Sequence, residues 1–242
     1  MNIHEYTLKG KVNKPRRIAL IADLHDRDDE LVHMVLRARR PDIITIAGDL
    51  TNNNTADAGK LRESLTALAK IAPCFYSLGN HEYAFTEENA EMVDQCGVKL
   101  LLDEYVKWNE LCIGGLRSRS VYRPFPMGRA TAPPRLGWLD EFEKQKGYKL
   151  LLSHHPEYYE PYLKERSIDL ILSGHAHGGQ IRIFDHGLFA PGQGLWPRYT
   201  KGIHDGRFIV SAGLANTGGP VPRLFNPTEL VIIDIENENP AV

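Results

Sequence analysis

Five short apolar segments of this chain each end in a polar residue that can bind a metal ion. The segments span residues 17–23, 42–49, 74–80, 148–155 and 168–177. Continuous apolar runs of this length are typical of strands that are buried on both faces. Because such strands must be covered by other elements, the pattern predicts a layered fold, and the polar ends of parallel strands should meet at one edge.

Apolar residues at helical spacing follow the first two segments, and His33 falls on the face opposite to the first stripe. The stripes consist of Leu31, Val32, Val35 and Leu36, and of Leu61, Leu65 and Leu68. This order predicts β-α-β-α-β with right-handed crossovers and a largely parallel start.

The remainder of the chain has shorter elements. Strands are predicted at 98–101, 105–108 and 111–114, and a helix at 138–145. From residue 181 onward, the short apolar runs QIRIF, RFIVSAG and TELVIIDI predict a second, more antiparallel sheet. The length of 242 residues fits one large α/β domain or two small ones, and we expect a single domain over 1–242.

The composition excludes several classes of protein. Lys and Arg number 29 against 31 Asp and Glu, which argues against a globally basic nucleic-acid or membrane binder, so we expect no stable nucleic-acid complex. Cys74, Cys96 and Cys112 are widely spaced and fit buried thiols of a cytosolic protein. The chain lacks an 18-residue apolar run and an apolar signal sequence at its start. We therefore expect a cytoplasmic protein without a membrane span.

The polar residues at the strand ends form a candidate metal site. Asp23 and His25 form one i, i+2 pair, and His175 and His177 form another, which would point the same way in an extended backbone. The two imidazoles of the second pair can face one metal centre, or one metal each. The whole ligand set consists of Asp23, His25, Asp49, Asn80, His154, His175 and His177.

Seven ligands exceed what one ion needs, whereas two adjacent ions that share a carboxylate would use all of them. Paired ions about 3.5–4 Å apart are typical of enzymes that catalyse in-line displacement at phosphorus. Mixed imidazole and carboxylate ligands suit Mn, Fe, Zn or Ni better than Ca. Each motif alone also has a structural interpretation as a turn or a solvated loop, but the ordered set favours a metal site.

The sequence resembles the calcineurin-like metallophosphoesterase superfamily, motif by motif. The matching motifs are DLH (23–25), GD (48–49), GNHE (79–82), SHHP (153–156) and GHAH (174–177). The C-terminal run VSAGLANTGGPVPRLFNPTEL resembles the bacterial branch with cell-wall-associated phosphoesterases and UDP-diacylglucosamine hydrolases. The fold that this resemblance implies is a four-layer α/β/β/α sandwich, with two packed mixed sheets flanked by helices.

The resemblance also implies roles for single residues. One metal would be held by Asp23, His25, Asp49 and His177, and the other by Asp49, Asn80, His154 and His175. His81 would face the substrate as an acid or a phosphate ligand, with Glu82 as a possible orienting partner. The activity implied is hydrolysis of a phosphomonoester, a phosphodiester or a pyrophosphate bond by metal-activated water.

Two regions leave alternatives open. His154 and His155 are adjacent, and neighbouring side chains of a strand face opposite ways, so we expect His154 to be the ligand. The stretch 117–135 contains five arginines. All five, Arg117, Arg119, Arg123, Arg129 and Arg135, could bind substrate phosphate or pyrophosphate through bidentate hydrogen bonds, with Arg117, Arg119 and Arg123 as the first candidates. The alternative, which is slightly favoured, is a solvated loop whose charges point outward.

A protein of this fold can also act as a protein-binding scaffold with little catalysis. The scaffold subunit of this fold lacks the catalytic histidine, which is present here as His81. This difference favours an enzyme that acts on a small phosphorylated substrate.

Overall fold

The computed structural model describes residues 1–27, 30–52, 58–122, 129–215 and 222–238. Four α-helices are present among them: α1 (Glu30–Arg39), α2 (Ala58–Ala69), α3 (Glu87–Gln95) and α4 (Leu139–Glu143). The strands of the first half are β1 (Asn2–Gly10), β2 (Arg16–Ile21), β3 (Ile43–Ala47), β4 (Cys74–Ser77), β5 (Val98–Leu100), β6 (Glu104–Trp108), β7 (Leu111–Leu116), β8 (Ser120–Tyr122) and β9 (Arg129–Thr131).

The second half adds β10 (Tyr148–Ser153), β11 (Leu170–Ser173), β12 (Arg182–Ile183), β13 (His186–Gly187), β14 (Phe189–Ala190), β15 (Gly194–Leu195), β16 (Gly202–His204), β17 (Phe208–Val210) and β18 (Glu229–Asn237). Short helical turns follow β10 at Pro156–Tyr158 and Tyr159–Leu163, and follow β11 at His177–Gly179.

Twelve strands form two six-stranded mixed sheets. The first has the order β1-β18-β2-β3-β4-β5 and the second the order β16-β17-β11-β10-β7-β6. In the first sheet only the β18–β2 pair is antiparallel. In the second, the β7, β10, β11 and β17 strands are parallel to one another. The remaining strands form three two-stranded hairpins.

The prediction that the C-terminal strands form a separate antiparallel sheet is wrong. Strand β18 is inserted between β1 and β2 of the first sheet, and β17 extends the second sheet in parallel. The apolar pattern of a strand shows that both of its faces are covered, but it does not show which neighbour it pairs with. Strand β1, which alternates exposed and half-buried residues, completes the first sheet and was not predicted.

The layers follow the order helix, sheet, sheet, helix. One apolar core lies between the two sheets and includes Ile18, Ile43, Ile113, Leu150 and Leu170. A second core packs the outer face of the first sheet against α1, α2 and α3, and a third packs the second sheet against α4 and the turns after β10. Because each sheet is covered on both faces, a strand such as β3 is buried at every residue.

Local signals set the ends of the helices. Helix α3 begins with a capping box in which the Thr86 side chain accepts a hydrogen bond from the Asn89 backbone and the Asn89 side chain accepts one from the Thr86 backbone.

The predicted position of His33 on the exposed face of α1 is wrong, since His33 is buried, whereas Leu31 is 50% exposed. His33 lies three residues before Leu36 on the helix and therefore shares its buried face.

A buried ion pair connects the sheets at the end opposite to the polar strand ends. Arg16 begins β2, and its Nε and Nη2 atoms donate to the two carboxylate oxygens of Glu110 at 2.8 and 2.6 Å. The side chains are 5% and 11% exposed, and the guanidinium lies over the ring of Trp108. Two parallel hydrogen bonds fix the relative position of the sheets more closely than an apolar contact would.

We predict that Glu110→Ala lowers the free energy of unfolding by about 3 kcal/mol, because the buried guanidinium loses both hydrogen bonds and keeps, among the described residues, only the carboxylate of Asp42 at 3.7 Å. The matched control is Glu141→Ala, which breaks a surface pair with Lys144 whose side chains are 63% and 66% exposed. That change should cost at most about 1 kcal/mol. Urea denaturation of both variants tests the prediction, which would be wrong if the two losses were equal.

Candidate metal centre

The backbone turns sharply where the polar residues follow their strands. Asp23, His25, Asp49, His175 and His177 have φ angles of 52°, 51°, 53°, 65° and 46°, in the left-handed region that residues other than glycine rarely adopt. Each such conformation costs roughly 1–3 kcal/mol and persists only where the surroundings enforce it. The expectation that the i, i+2 pairs converge because they are extended is therefore wrong. They converge because the backbone leaves the strand and turns toward a common point.

Asp23, His25 and His177 form the first cluster, in which one potential ligand atom of each lies within 4.8 Å of the others. Asp23 Oδ1 is 3.6 Å from His177 Nε2 and 4.0 Å from His25 Nε2. The Asp23 carboxylate also accepts a hydrogen bond from the backbone N–H of His175. This hydrogen bond links the DLH motif (23–25) to the GHAH motif (174–177).

Asp49, His154 and His175 form the second cluster. Asp49 Oδ2 is 3.2 Å from His154 Nε2, and Asn80 Oδ1 is 3.0 Å from the same nitrogen. Asp49 Oδ2 is also 3.9 Å from His25 Nε2, which belongs to the first cluster. A single carboxylate oxygen therefore lies between the two groups, as expected for a shared ligand.

Hydrogen bonds on the far side of two rings orient the nitrogens that face the centre. His154 Nδ1 lies 2.7 Å from the carbonyl oxygen of Ala47, so this nitrogen must be the one that donates. His25 Nδ1 lies 3.1 Å from Asn52 Oδ1. Such bonds direct the lone pair of the opposite nitrogen toward a cation. Asn52 was not identified from the sequence, because no motif marks it.

At His154, burial lowers the pKa, but Asp49 and Asp23 outweigh this effect and raise it to about 10. The charge states of His25, His175 and His177 are instead determined by burial. Burial lowers the pKa of His25 to about 4 and that of His175 to about 3, and it holds the pKa of His177 well below its usual value. These rings are therefore neutral near pH 7, which is the form that binds metals. Burial alone would raise the pKa of Asp49, but His154 outweighs this effect and keeps the carboxyl ionised.

Several buried polar atoms of the centre have no hydrogen-bond partner among the described residues, namely His25 Nε2, Asp49 Oδ2 and His177 Nδ1. An orphaned carboxylate oxygen and imidazole nitrogen are costly to bury unless a cation completes them. Asp23 and Asp49 are both fully buried, and burial together with the charge of Asp49 raises the pKa of Asp23 to about 7, so ionising both carboxyls is costly without a cation beside them. The residues that the structure brings together therefore fit divalent metal ions.

His81 lies at the edge of this centre, with its side chain 25% exposed. Its Nε2 is 3.9 Å from Asp49 Oδ2, and its ring packs edge-on against that of His25. Glu82 does not orient this ring. Its carboxylate is buried and accepts from the backbone N–H groups of Asp49, Thr51 and Gly79. The expected Glu82–His81 pairing is wrong because this carboxylate holds the turns that carry the ligands.

His155 is buried rather than solvated, and the structure places a further acid beside it. Its Nε2 forms a hydrogen bond with Ser118 Oγ, and its Nδ1 is 3.2 Å from Glu157 Oε1. Glu157 Oε1 is 3.7 Å from His175 Nε2, so it is adjacent to a candidate ligand. His155 and His154 do not face opposite ways, because β10 ends at Ser153 and both rings contact that of His175.

The arginine-containing segment adjoins the centre. Arg117 and Arg119 line a cavity that also contacts Asn80, whereas Arg123 lies outside the described residues. The cavity has a volume of about 250 Å³. Arg135, another of the five arginines of this stretch, lines it as well.

A family model described as calcineurin-like phosphoesterase matches residues 16–179, which contain all five motifs. The chain belongs to the calcineurin-like phosphoesterase family. Family membership and the clustered histidines and aspartates together indicate a metal-dependent phosphoesterase. The resemblance to this superfamily and the α/β/β/α fold that it implied are thus confirmed. The narrower bacterial branch stays a prediction.

This phosphoesterase is similar to curated proteins along most of its length. An uncharacterized metallophosphoesterase of Aquifex aeolicus is 28% identical over 253 residues, which cover 98% of this chain and 93% of that protein. One of Helicobacter pylori is 27% identical over 243 residues, which cover 96% of this chain but only 62% of that protein. The chain thus spans less than two thirds of the Helicobacter protein.

Among solved structures, a protein of Thermus thermophilus has a TM-score of 0.49 and 15% identity over 66% of this phosphoesterase and 81% of that chain. A metallophosphoesterase from Sphaerobacter thermophilus has a TM-score of 0.36 and 16% identity, and the match covers 85% of this chain and 80% of that one. In the described part of the phosphoesterase, no helix has the length and apolarity that a membrane span requires.

We predict that Gly79→Ala removes bound metal from the phosphoesterase. A Cβ at this position would lie 2.1 Å from Asp49 Oδ1 and 2.5 Å from the Asp49 nitrogen, so the shared carboxylate would have to move. Elemental analysis after incubation with manganese and gel filtration measures the loss. The matched control is Gly137→Ala, since a Cβ there has no other atom within 4 Å among the described residues. Equal metal content in both variants would contradict the prediction.

Proposed function

We propose that the protein is a dinuclear metal-dependent phosphoesterase that cleaves a phosphomonoester, phosphodiester or pyrophosphate bond with water. The observation that supports two ions rather than one is the position of Asp49 Oδ2. This buried oxygen lacks a hydrogen bond and lies 3.9 Å from His25 Nε2 and 3.2 Å from His154 Nε2, between two separate ligand clusters. An oxygen in this position could be shared by an ion on each side, while Asp49 Oδ1 accepts a hydrogen bond from the backbone N–H of His81 at 2.8 Å.

The proposed ligand sets are those that the family resemblance implies, and the two clusters support them. Asp23, His25, Asp49 and His177 would hold one ion, and Asp49, Asn80, His154 and His175 would hold the other. The donor set favours Mn, Fe or Zn. When bound, such ions lower the pKa of coordinated water to about 7 and neutralise charge on phosphoryl oxygens. The protein contributes the neutral imidazoles of His25, His175 and His177, the ionised carboxylate of Asp49 and a fixed geometry that needs little rearrangement during the reaction.

His81 is the residue that we assign to proton transfer. It is the only one of the strand-end histidines named above whose side chain is substantially exposed, so substrate can reach it. A proton on His81 can pass to the departing oxygen, or it can hold a phosphoryl oxygen. The presence of His81 beside both clusters favours an enzyme over a protein-binding scaffold, which needs no such group.

The remaining proposals concern partners and location. We propose a small phosphorylated substrate, because a cavity of about 250 Å³ lies beside the centre. The three cysteines are buried and free, which supports a reducing compartment such as the cytoplasm. We also propose that residues 1–242 form one domain, because both sheets share the central core.

We predict that the parent protein binds up to two transition-metal ions per chain. We also predict that Asp49→Asn reduces metal binding and turnover more than Asp23→Asn does. Asp49 is assigned to both ions and Asp23 to one, so the loss of the Asp49 charge weakens the binding of both ions. Elemental analysis and hydrolysis of a nitrophenyl phosphodiester with added manganese measure the two effects. The dinuclear proposal fails if Asp49→Asn retains the parent metal content and rate while Asp23→Asn does not.

We predict that His81→Ala retains its metals but slows hydrolysis by ~10²–10⁴-fold, the usual contribution of a general acid. The defect should be larger for an alkyl ester than for a nitrophenyl ester, because nitrophenolate leaves without protonation. Steady-state rates on both esters, with metal content determined in parallel, test this. Equal defects would assign His81 to phosphate binding instead, and full activity on both esters would support the scaffold interpretation.

A further inference from the structure

The cavity beside the metal centre has an unusual charge. The residues that line it include three arginines, Arg117, Arg119 and Arg135, and two acids, Glu82 and Asp103. Glu82 already accepts hydrogen bonds from three backbone N–H groups, and the backbone N–H of Arg117 donates to Asp103 at 3.0 Å. The positive charge therefore exceeds the negative charge, and much of the negative charge is already hydrogen-bonded.

The guanidinium groups retain most of their hydrogen-bonding capacity. Arg119 donates from Nη1 to the carbonyl of Pro133, while Arg117 and Arg135 form no side-chain hydrogen bond or salt bridge with any other described residue. Each guanidinium has five N–H donors in a planar fork that matches the oxygens of a phosphate. Three like charges around one cavity repel one another, and an anion between them would remove that repulsion.

The positive charges of the three arginines lie near one carboxylate of the cavity, that of Asp103. Burial raises the pKa of Asp103, and Arg135, Arg117 and Arg119 all act to lower it, so the three guanidinium groups are close to one carboxylate of the cavity wall. The volume of about 250 Å³ is many times what a single water molecule requires, so the cavity accommodates a phosphoryl group with part of its hydration.

The segment that contains these arginines is fixed relative to the metal centre. Ser118, which lines the cavity, donates from its backbone N–H to the carbonyl of Leu78 and forms a side-chain hydrogen bond with His155 Nε2. Leu78 lies two residues before Asn80, and His155 follows His154 directly. The distance between the cavity and the candidate metal ligands is therefore set by the fold.

We propose that this cavity is a subsite for a second, non-reacting phosphoryl group, so that the preferred substrate contains two phosphoryl groups, one at the metal centre and one held by Arg117, Arg119 and Arg135. The proposal specifies the substrate of the proposed phosphoesterase. It rests on that proposed function only for the phosphoryl group that lies at the metal centre. It narrows the sequence-based expectation from five arginines to the three that line the cavity, and it specifies the ligand as a phosphoryl group that is not hydrolysed.

The test is a binding measurement that does not require turnover. Alkane bisphosphonates of increasing chain length and alkylphosphonates of matched length are titrated calorimetrically into the manganese-loaded protein. At the spacer length that spans the two positions, the second phosphonate should tighten binding by at least about tenfold, as a charge-assisted hydrogen bond does. The ratio of the two affinities is taken within each protein, so differences in metal loading or folding cancel.

Substitutions of the arginines then test whether they cause the tighter binding of bisphosphonates. In Arg117→Gln/Arg135→Gln the ratio should fall close to one, and in Arg117→Lys/Arg135→Lys it should be intermediate, because charge remains but the planar fork is lost. Arg37→Gln, which alters an exposed arginine of α1 outside the cavity, should keep the parent ratio. A parent ratio near one at every spacer length, or an unchanged ratio in the double glutamine variant, would overturn the proposal.

Two further measurements distinguish a phosphoryl subsite from a general anion site and from a failure of the proposed phosphoesterase function. Phosphonates with a terminal carboxylate should bind more weakly than bisphosphonates, and equal binding would overturn the assignment to a phosphoryl group. Hydrolysis of simple phosphoesters is measured separately. A protein that hydrolyses them without a preference for two phosphoryl groups disproves the subsite only, whereas a preserved preference without hydrolysis disproves the proposed function only.

Discussion

The hydrogen bond between His154 Nδ1 and the carbonyl oxygen of Ala47 is the contact on which the candidate centre depends. His154 follows the second sheet and Ala47 ends a strand of the first, so this bond of 2.7 Å joins the two sheets at the edge where their polar residues emerge. It leaves Nε2 to face Asp49 and Asn80. Gly48 permits this approach, because a Cβ there would lie 2.5 Å from His154 Nδ1. One contact thus sets both the packing of the sheets and the orientation of a ligand.

A second constraint is the number of buried carboxylates near this junction. Asp23, Asp49 and Glu82 are each at most 3% exposed. Glu82 is compensated by backbone N–H groups, and Asp23 by that of His175, but Asp49 Oδ2 lacks a hydrogen bond within the described structure. Burial and the charge of Asp49 both raise the pKa of Glu82. Cations at the two clusters would relieve this repulsion, so metal binding and the stability of these turns are expected to be coupled.

The sequence predicts the strands and the ligand set well because both depend on local patterns. Apolar runs identify β2, β3, β4, β10 and β11 to within a few residues, and the residues that follow them do converge. Sheet membership was predicted less well, because strand pairing depends on contacts between distant segments, as the insertion of β18 beside β2 shows. Supporting residues such as Asn52 and Glu157 were missed because a single amide or acid in a turn carries no periodic signal. The left-handed turns were missed because Asp and His give no sequence signal of such a backbone.

The same tertiary contacts explain why specificity and chemistry can vary separately in this fold. Ser77 Oγ and the backbone of Ser118 bond to the carbonyls of Leu116 and Leu78, so the segment after β7 is held by backbone groups. Backbone contacts persist when side chains change. Arg117, Arg119 and Arg135 can therefore be replaced without altering the strand ends, whereas a change at Gly79 or Gly174 would push a Cβ against Asp49 or Asp23. Residues that line the cavity should accordingly tolerate substitution far better than the glycines that pack against the candidate ligands.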